Sequence, residues 1–268
     1  MQAPDLMQSV PTRAATRAWR APRTSEILRW ALPSMHRLGD RLLLRGLALL
    51  ASRQIVAIHG LEHIRPAGDP FILVANHSTR REAILVPAML ILHRGGRIVH
   101  FLADWNFRLI PGVGLIYSRA QVVTVTRKSA RPRFLNVLKP LYGHHRSSME
   151  RTKALLAAGR SIGVFPEGTA NHKTAELLRG RRGAARLSLE TGAPVVPLGI
   201  RFAGVDPALP IPRKAPMELY IGAPLQPPSL DAAAVTMRDV GAWHSVIMTE
   251  IAQLSGKAWN GAAKEADP

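Results

Sequence analysis

Seven short apolar runs punctuate the chain from residue 54 onward: QIVAIHG (54–60), FILVAN (71–76), RIVHFLA (97–103), QVVTVT (121–126), SIGVFP (161–166), PVVPLGI (194–200) and MELYIG (217–222). Each is brief, rich in Val and Ile, and bounded by polar, Gly or Pro positions, as buried strands are. Between them apolar positions recur at helical spacing near 80–94, 147–158 and 181–190. A last helical stretch, about 236–255, aligns Val240, Trp243, Ile247 and Ile251 on one face. Strands alternating with helices predict an α/β sheet covered by helices on its faces. In such sheets a ligand sits beyond the carboxyl ends of the strands.

Upstream the pattern is purely helical. TSEILRWAL offers Thr24 or Ser25 as an N-cap and then Ile27, Leu28, Ala31 and Leu32 at helical spacing, with Pro33 expected to break the helix. Ser34 can cap a second helix in which Met35, Leu38, Leu42 and Leu49 recur while Arg37, Arg41 and Arg45 lie elsewhere around the barrel. Residues 24–53 are therefore expected to form a helical hairpin, either a cover packed on the domain or an element lying in a membrane surface. Residues 1–23, rich in Arg, Ala and Pro, are expected to be a disordered basic arm. Residues 54–258 make the main domain, 204–216 a Pro-rich loop within it, and 259–268 a flexible tail.

Composition narrows the chemistry. A chain of 268 residues can bury a substantial core as one domain with a small appendage. It has no cysteine, which excludes disulfides, thiolate metal sites and cysteine nucleophiles. The formal charge of +18 attracts anionic membranes, phosphorylated substrates or nucleic acid alike. Aromatics make up 5% and are not interleaved with basic residues, so no nucleic-acid partner is expected. No segment reaches the ~18 apolar residues of a membrane span. Asp5 and the lack of an early apolar stretch argue against a secretory signal, making a cytoplasmic location the default.

Two stretches carry candidate chemistry. VANHSTRREA (74–83) ends an apolar run with His77 and places Glu82 five positions later. In one continuous helix those side chains would point about 140° apart, so contact needs a bend between them. Given the bend, the carboxylate can fix one imidazole nitrogen while the other removes a proton from a hydroxyl. The same spacing recurs at His145 and Glu150, but there it follows no apolar run and reads as a surface loop entering a helix. GVFPEGTANH (163–172) runs from a strand into Pro166 and a Glu167–Gly168 turn. Its backbone N–H groups and the Thr169 hydroxyl can hold an oxyanion or phosphate; an ordinary tight turn has the same pattern.

NHSTRRE followed about ninety residues later by VFPEGT resembles the glycerolipid acyltransferase family, best known through lysophosphatidic acid acyltransferases. IPGVGLIYSRAQVVTVTRK resembles the family's acceptor-binding block, a proline-glycine turn and a β-run that ends here at Arg127. TGAPVVPLGI, with Pro194 and Pro197 in a buried strand, and YIGAPL are similar to its later blocks, so the likeness covers about 54–225. It departs in two places: Glu82 stands where aspartate is commonest, and Ala170-Asn171 where many members carry Arg-Ser, a contact that Arg181 or Arg182 can supply, though both arginines read first as the solvated face of a helix start.

The resemblance implies a single mixed sheet flanked by helices, and transfer of an acyl group from acyl-CoA or acyl-ACP to a lysophospholipid hydroxyl without an acyl-enzyme. His77 would be the base and Glu82 its orienting acid. Asn76, Arg127, Glu167, Gly168 and Thr169 would bind substrate, with backbone donors near Gly168 on the oxyanion. No metal or cofactor is called for, and acyl carrier protein is a possible partner. The enzyme would sit peripherally on the cytoplasmic face of the cell membrane, against anionic lipid. Two alternatives stay open: a family member using another acceptor, such as an amino-acid lipid or glycolipid, or a non-catalytic basic membrane-binding protein.

Overall fold

The computed structural model describes residues 19–261 except 111, 127–128, 130–132, 143–146, 207 and 232–233. Arg127, His145 and much of the expected basic arm and tail therefore lie outside the described residues. All seven apolar runs form strands: β1 (Ile55–His59), β2 (Ile72–Ala75), β3 (His100–Asp104), β4 (Val123–Val125), β5 (Ile162–Val164), β6 (Val195–Phe202) and β7 (Met217–Ile221). They join one sheet in the order β1-β7-β6-β2-β5-β3-β4. Every pairing is parallel except β6 with β7, so the sheet is mixed, as expected.

Helices cover both faces, and β2 explains how. All four of its residues are buried, because helices lie above and below. Leu73 and Ala75 face a core built with Leu44 and Ala48 of α2 (Leu38–Ala51) and with α3 (Glu82–His93). Ile72 and Val74 face the opposite core, packed against α5 (Ser148–Ala157), α6 (Gly183–Thr191) and α7 (Met237–Ser255). The period-two alternation of a strand thus divides one run of four apolar residues between two cores.

The N-terminal hairpin consists of α1 (Thr24–Arg29) and α2. Its caps differ from those expected: Arg23 precedes α1 and Arg37 precedes α2, neither with a side-chain cap bond. Ile27, Leu44, Ala48 and Ala51 are buried, so the hairpin is part of the core. Leu38 and Leu42, in contrast, are 67% and 58% exposed. Two of the arginines stitch the hairpin together: Arg41 Nε donates to the Met35 carbonyl at 2.7 Å and Arg45 to that of Trp30 at 3.2 Å.

A helix that periodicity missed, α4 (Val113–Arg119), interrupts the stretch expected to run from a Pro-Gly turn into a strand. Its seven residues are too few to declare a period. Among the described residues no helix is long and apolar enough to cross a membrane.

Candidate active site

The central strands bring the two motifs together. Val74 of β2 pairs with Val164 of the parallel neighbour β5. His77 and Glu167 each lie three residues past that pair, so equal offsets along adjacent strands leave them side by side at the rim. The His77 N–H donates to Glu167 Oε1 at 2.8 Å, and the Asn171 N–H to the His77 carbonyl at 2.7 Å.

The required bend is present. Residues 76–80 are non-helical and α3 begins at Glu82 itself, so the two side chains are not on one helix and His77 Nδ1 meets Glu82 Oε1 at 2.7 Å. The Ser78 N–H donates to the same oxygen. Glu82 is fully buried while the His77 side chain keeps 13% of its surface exposed, so the pair has an open end and a closed end. Burial pushes the Glu82 carboxyl above the usual carboxylate range; the bond and charge of His77 and the N–H groups of Thr79 and Ser78 pull the other way. Among the described residues its Oε2 is buried without a hydrogen-bond partner. An ionised carboxylate only accepts, so Nδ1 donates and Nε2 is left as a base. The Phe165 ring lies 4.6 Å from the imidazole, centroid to centroid, and limits its rotation.

The second motif turns at Gly168, where φ is +67° and an added Cβ would fall 2.9 Å from Arg181 Nε. The Gly168 N–H donates to the Phe165 carbonyl at 3.1 Å and closes the turn. Thr169 is exposed. The exposed Arg181 lies over this turn, where one replacement for the missing Arg-Ser contact was expected; Arg182 precedes α6 as its N-cap.

Two residues expected to bind substrate are enclosed instead. Asn76 is fully buried, its amide paired in both directions with the Ile200 backbone at 2.7 and 3.1 Å, which ties the end of β2 to β6. Glu167 is 6% exposed, and besides the His77 N–H it accepts from Asn171 Nδ2 and the Leu178 N–H, both at 2.9 Å. Both residues brace loops. Asn171 also donates to the Glu176 carbonyl at 2.7 Å.

The second His-x4-acid match has a structural explanation. Glu150 forms a capping box with Ser147 at the start of α5, accepting from the Ser147 N–H at 2.7 Å.

One neighbour of the site escaped sequence reading. Lys257, 6% exposed, donates to Ser78 Oγ at 2.9 Å and to the Lys173 carbonyl at 2.7 Å. It lies where an ordered chain was expected to end. Order continues further: the Trp259 indole, assigned to a flexible tail, packs on His244 and donates to the Arg179 carbonyl.

Residues 55–201, more than half of the chain, match the family model described as Acyltransferase. This chain belongs to the acyltransferase family. Among curated relatives of the acyltransferase, the 1-acyl-sn-glycerol-3-phosphate acyltransferase of Bacillus subtilis is 24% identical over 177 residues, 66% of this chain and 77% of that protein. The chloroplastic enzyme BAT2 of Brassica napus is 26% identical over 147 residues, 55% of this chain; the match spans only 37% of the plant protein. The fold matches the crystal structure of the 1-acyl-sn-glycerophosphate acyltransferase PlsC from Thermotoga maritima, with a TM-score of 0.53 and 20% identity over 84% of this chain and 85% of that one.

Proposed function

We propose that this acyltransferase moves a fatty acyl group from a thioester of coenzyme A or acyl carrier protein to the hydroxyl of a lysophospholipid such as 1-acylglycerol-3-phosphate. The observation that carries the reading is the His77–Glu82 pair, a base with one free ring nitrogen held at the sheet rim by a buried acid. Nε2 takes the proton of the acceptor hydroxyl as its oxygen attacks the thioester carbonyl. The tetrahedral intermediate then expels the thiolate, which recovers the proton from His77. Proton transfer to His77 contributes about 10²–10⁴-fold, and Glu82 keeps the tautomer and stabilises the imidazolium.

Two features support a lipid substrate. An apolar cleft between α2, α3, β3 and α4 starts at Ala83 and Ile84, directly beyond Glu82, and continues along Leu47, Ala88, Ile91 and Phe101. Its lining shares the apolar chemistry of an acyl chain, and its volume of about 70 Å³ means that the helices must part to admit one. At the rim, Arg181 over the Gly168 turn and exposed Thr169 supply a cation and a hydroxyl for a phosphate.

Acceptor and product reside in bilayers, which gives the exposed side of the hairpin a use. Leu38 and Leu42 stand out from α2, and Leu115 from α4, which Arg119 ties to Asp40 of α2 at 2.9 Å. The reading places this side against anionic lipid at the cytoplasmic face. Deleting the hairpin would strip core residues, so L38E/L42E is the cleaner test. Sedimentation with anionic vesicles should weaken about tenfold or more, from two leucines at roughly 1.5–3 kcal/mol each; unchanged sedimentation overturns the placement.

The acceptor is tested with purified protein, labelled acyl-CoA and acyl-ACP, and a panel of lysolipids. Activity on 1-acylglycerol-3-phosphate is expected. Inactivity on every phosphate-bearing acceptor removes this reading.

A further inference from the structure

The C-terminal helix does more than cover the sheet. Gly199 of β6 lets α7 come so close that a Cβ there would lie 2.2 Å from the Leu254 backbone. Arg201 fastens the helix end, donating to the Leu254 carbonyl at 2.7 Å and to that of Gln253 at 3.1 Å. Gly256 then turns the chain at φ +69°, and the Lys257 N–H bonds back to the Ala252 carbonyl at 3.1 Å. These contacts deliver a lysine side chain beneath the loop that carries the dyad.

There its ammonium joins both motif loops. It holds Ser78, whose N–H accompanies His77 on Glu82 Oε1, and the Lys173 carbonyl beyond Glu167. Two buried carboxylates face it, Glu82 from α3 and Glu167 from the turn after β5, and both attract its charge. Arg201 Nε lies 3.8 Å from where a Cβ on Gly256 would stand. Burial pushes Lys257 below the ordinary lysine range, against the pull of Glu167 and Glu82.

We propose that Lys257 is a positioning residue for acyl transfer: its ammonium fixes the Ser78 peptide against Glu82 and supplies the positive charge that keeps the dyad carboxylate anionic. This rests on the function proposed above, for which Glu82 must be ionised to hold the His77 proton. An ammonium favours the charged form of a carboxyl that attracts it, and Glu82, which attracts Lys257 after Glu167, keeps one oxygen without a hydrogen bond among the described residues.

The test uses K257M, which keeps volume and removes charge. Expected are a kcat lower by about tenfold or more, an acceptor KM within about threefold, and an acidic limb of the kcat profile displaced upward by about one pH unit. The Glu82 carboxyl resonance in ¹³C NMR, assigned by its loss in E82Q, should titrate higher by the same amount with no substrate present. K257M that keeps kcat, the acidic limb and the Glu82 titration while losing only thermal stability overturns the proposal. Should K257M not fold, S78A carries the test through the same bond, with kcat expected to fall about threefold to tenfold; wild-type kcat in folded S78A overturns it. Wild-type protein inactive on every acceptor, with the Glu82 titration still displaced in K257M, would remove the acyl-transfer reading and leave the charge coupling standing.

Discussion

The segments that follow β2 and β5 each bury a glutamate at the same rim, Glu82 at the start of α3 and Glu167 in a turn, and the two acids are bonded differently. Glu167 receives three N–H donors from His77, Asn171 and Leu178. Glu82 receives the His77 ring and the Ser78 N–H on one oxygen, is drawn on by the Thr79 N–H, and among the described residues has no partner in hydrogen-bond geometry on the other. A carboxylate whose bonds are complete is a brace. One that is buried, incompletely bonded and pushed upward in pKa is held at a cost to stability, as groups with a chemical task often are.

The comparison breaks most visibly at the ring. H77A should lower kcat by about 10³-fold or more while leaving the fold intact, checked by circular dichroism beside the transfer assay. A variant with wild-type turnover would mean that the reaction needs no base here. Next comes E82Q, which should lose about 10²-fold in kcat because a neutral amide cannot stabilise the imidazolium. Its melting temperature should be unchanged or higher. A carboxyl whose folded pKa exceeds its unfolded value binds its proton more tightly when folded, so its anion weakens the fold at neutral pH, and Gln removes that charge. A sharp fall in the melting temperature of E82Q would place both glutamates in one class.

E167Q should reverse the order of effects. Replacing an acceptor of three N–H bonds by an amide is expected to destabilise by about 2–3 kcal/mol, seen in denaturant unfolding, with kcat of the folded protein within about tenfold. The mildest probe is pH. Activity should fall as pH drops through the folded pKa of Glu82, above the range of an ordinary carboxylate, and E82Q should lack that limb. Stability should fall over an overlapping window for another reason. Burial depresses His93 from 6.5 to about 4, so this histidine stabilises the fold fully above about 6.5 and loses that contribution as pH falls toward 4. A flat stability profile between those values would contradict its burial.

Reading depended on how local each signal was. The seven strands were legible because a strand buried on both faces is a continuous apolar run, and His77 with Glu82 because both follow the end of such a run. Glu167 was legible as a residue of the rim, but the partners of its carboxylate were not. FPEGT looks like a ligand-binding turn, whereas the His77 N–H and Leu178 N–H that occupy its carboxylate come from 90 and 11 residues away. The partner of Asn76 was hidden for the same reason, Ile200 lying 124 residues on. The α4 helix was hidden by its shortness. Lys257 gave no signal at all, since a lone lysine after a helix is ordinarily solvated.

The amino-acid sequence by itself determined the alternation of strands and helices, the position of an imidazole and an acid at a strand end, and the family, because each is written within a dozen residues. Tertiary structure alone decided which acid meets the imidazole and which accepts three N–H bonds, and that a lysine 179 residues from Ser78 touches it. Those outcomes depend on desolvation and on hydrogen bonds between strand ends adjacent in the sheet but remote in the chain, and no local pattern records them.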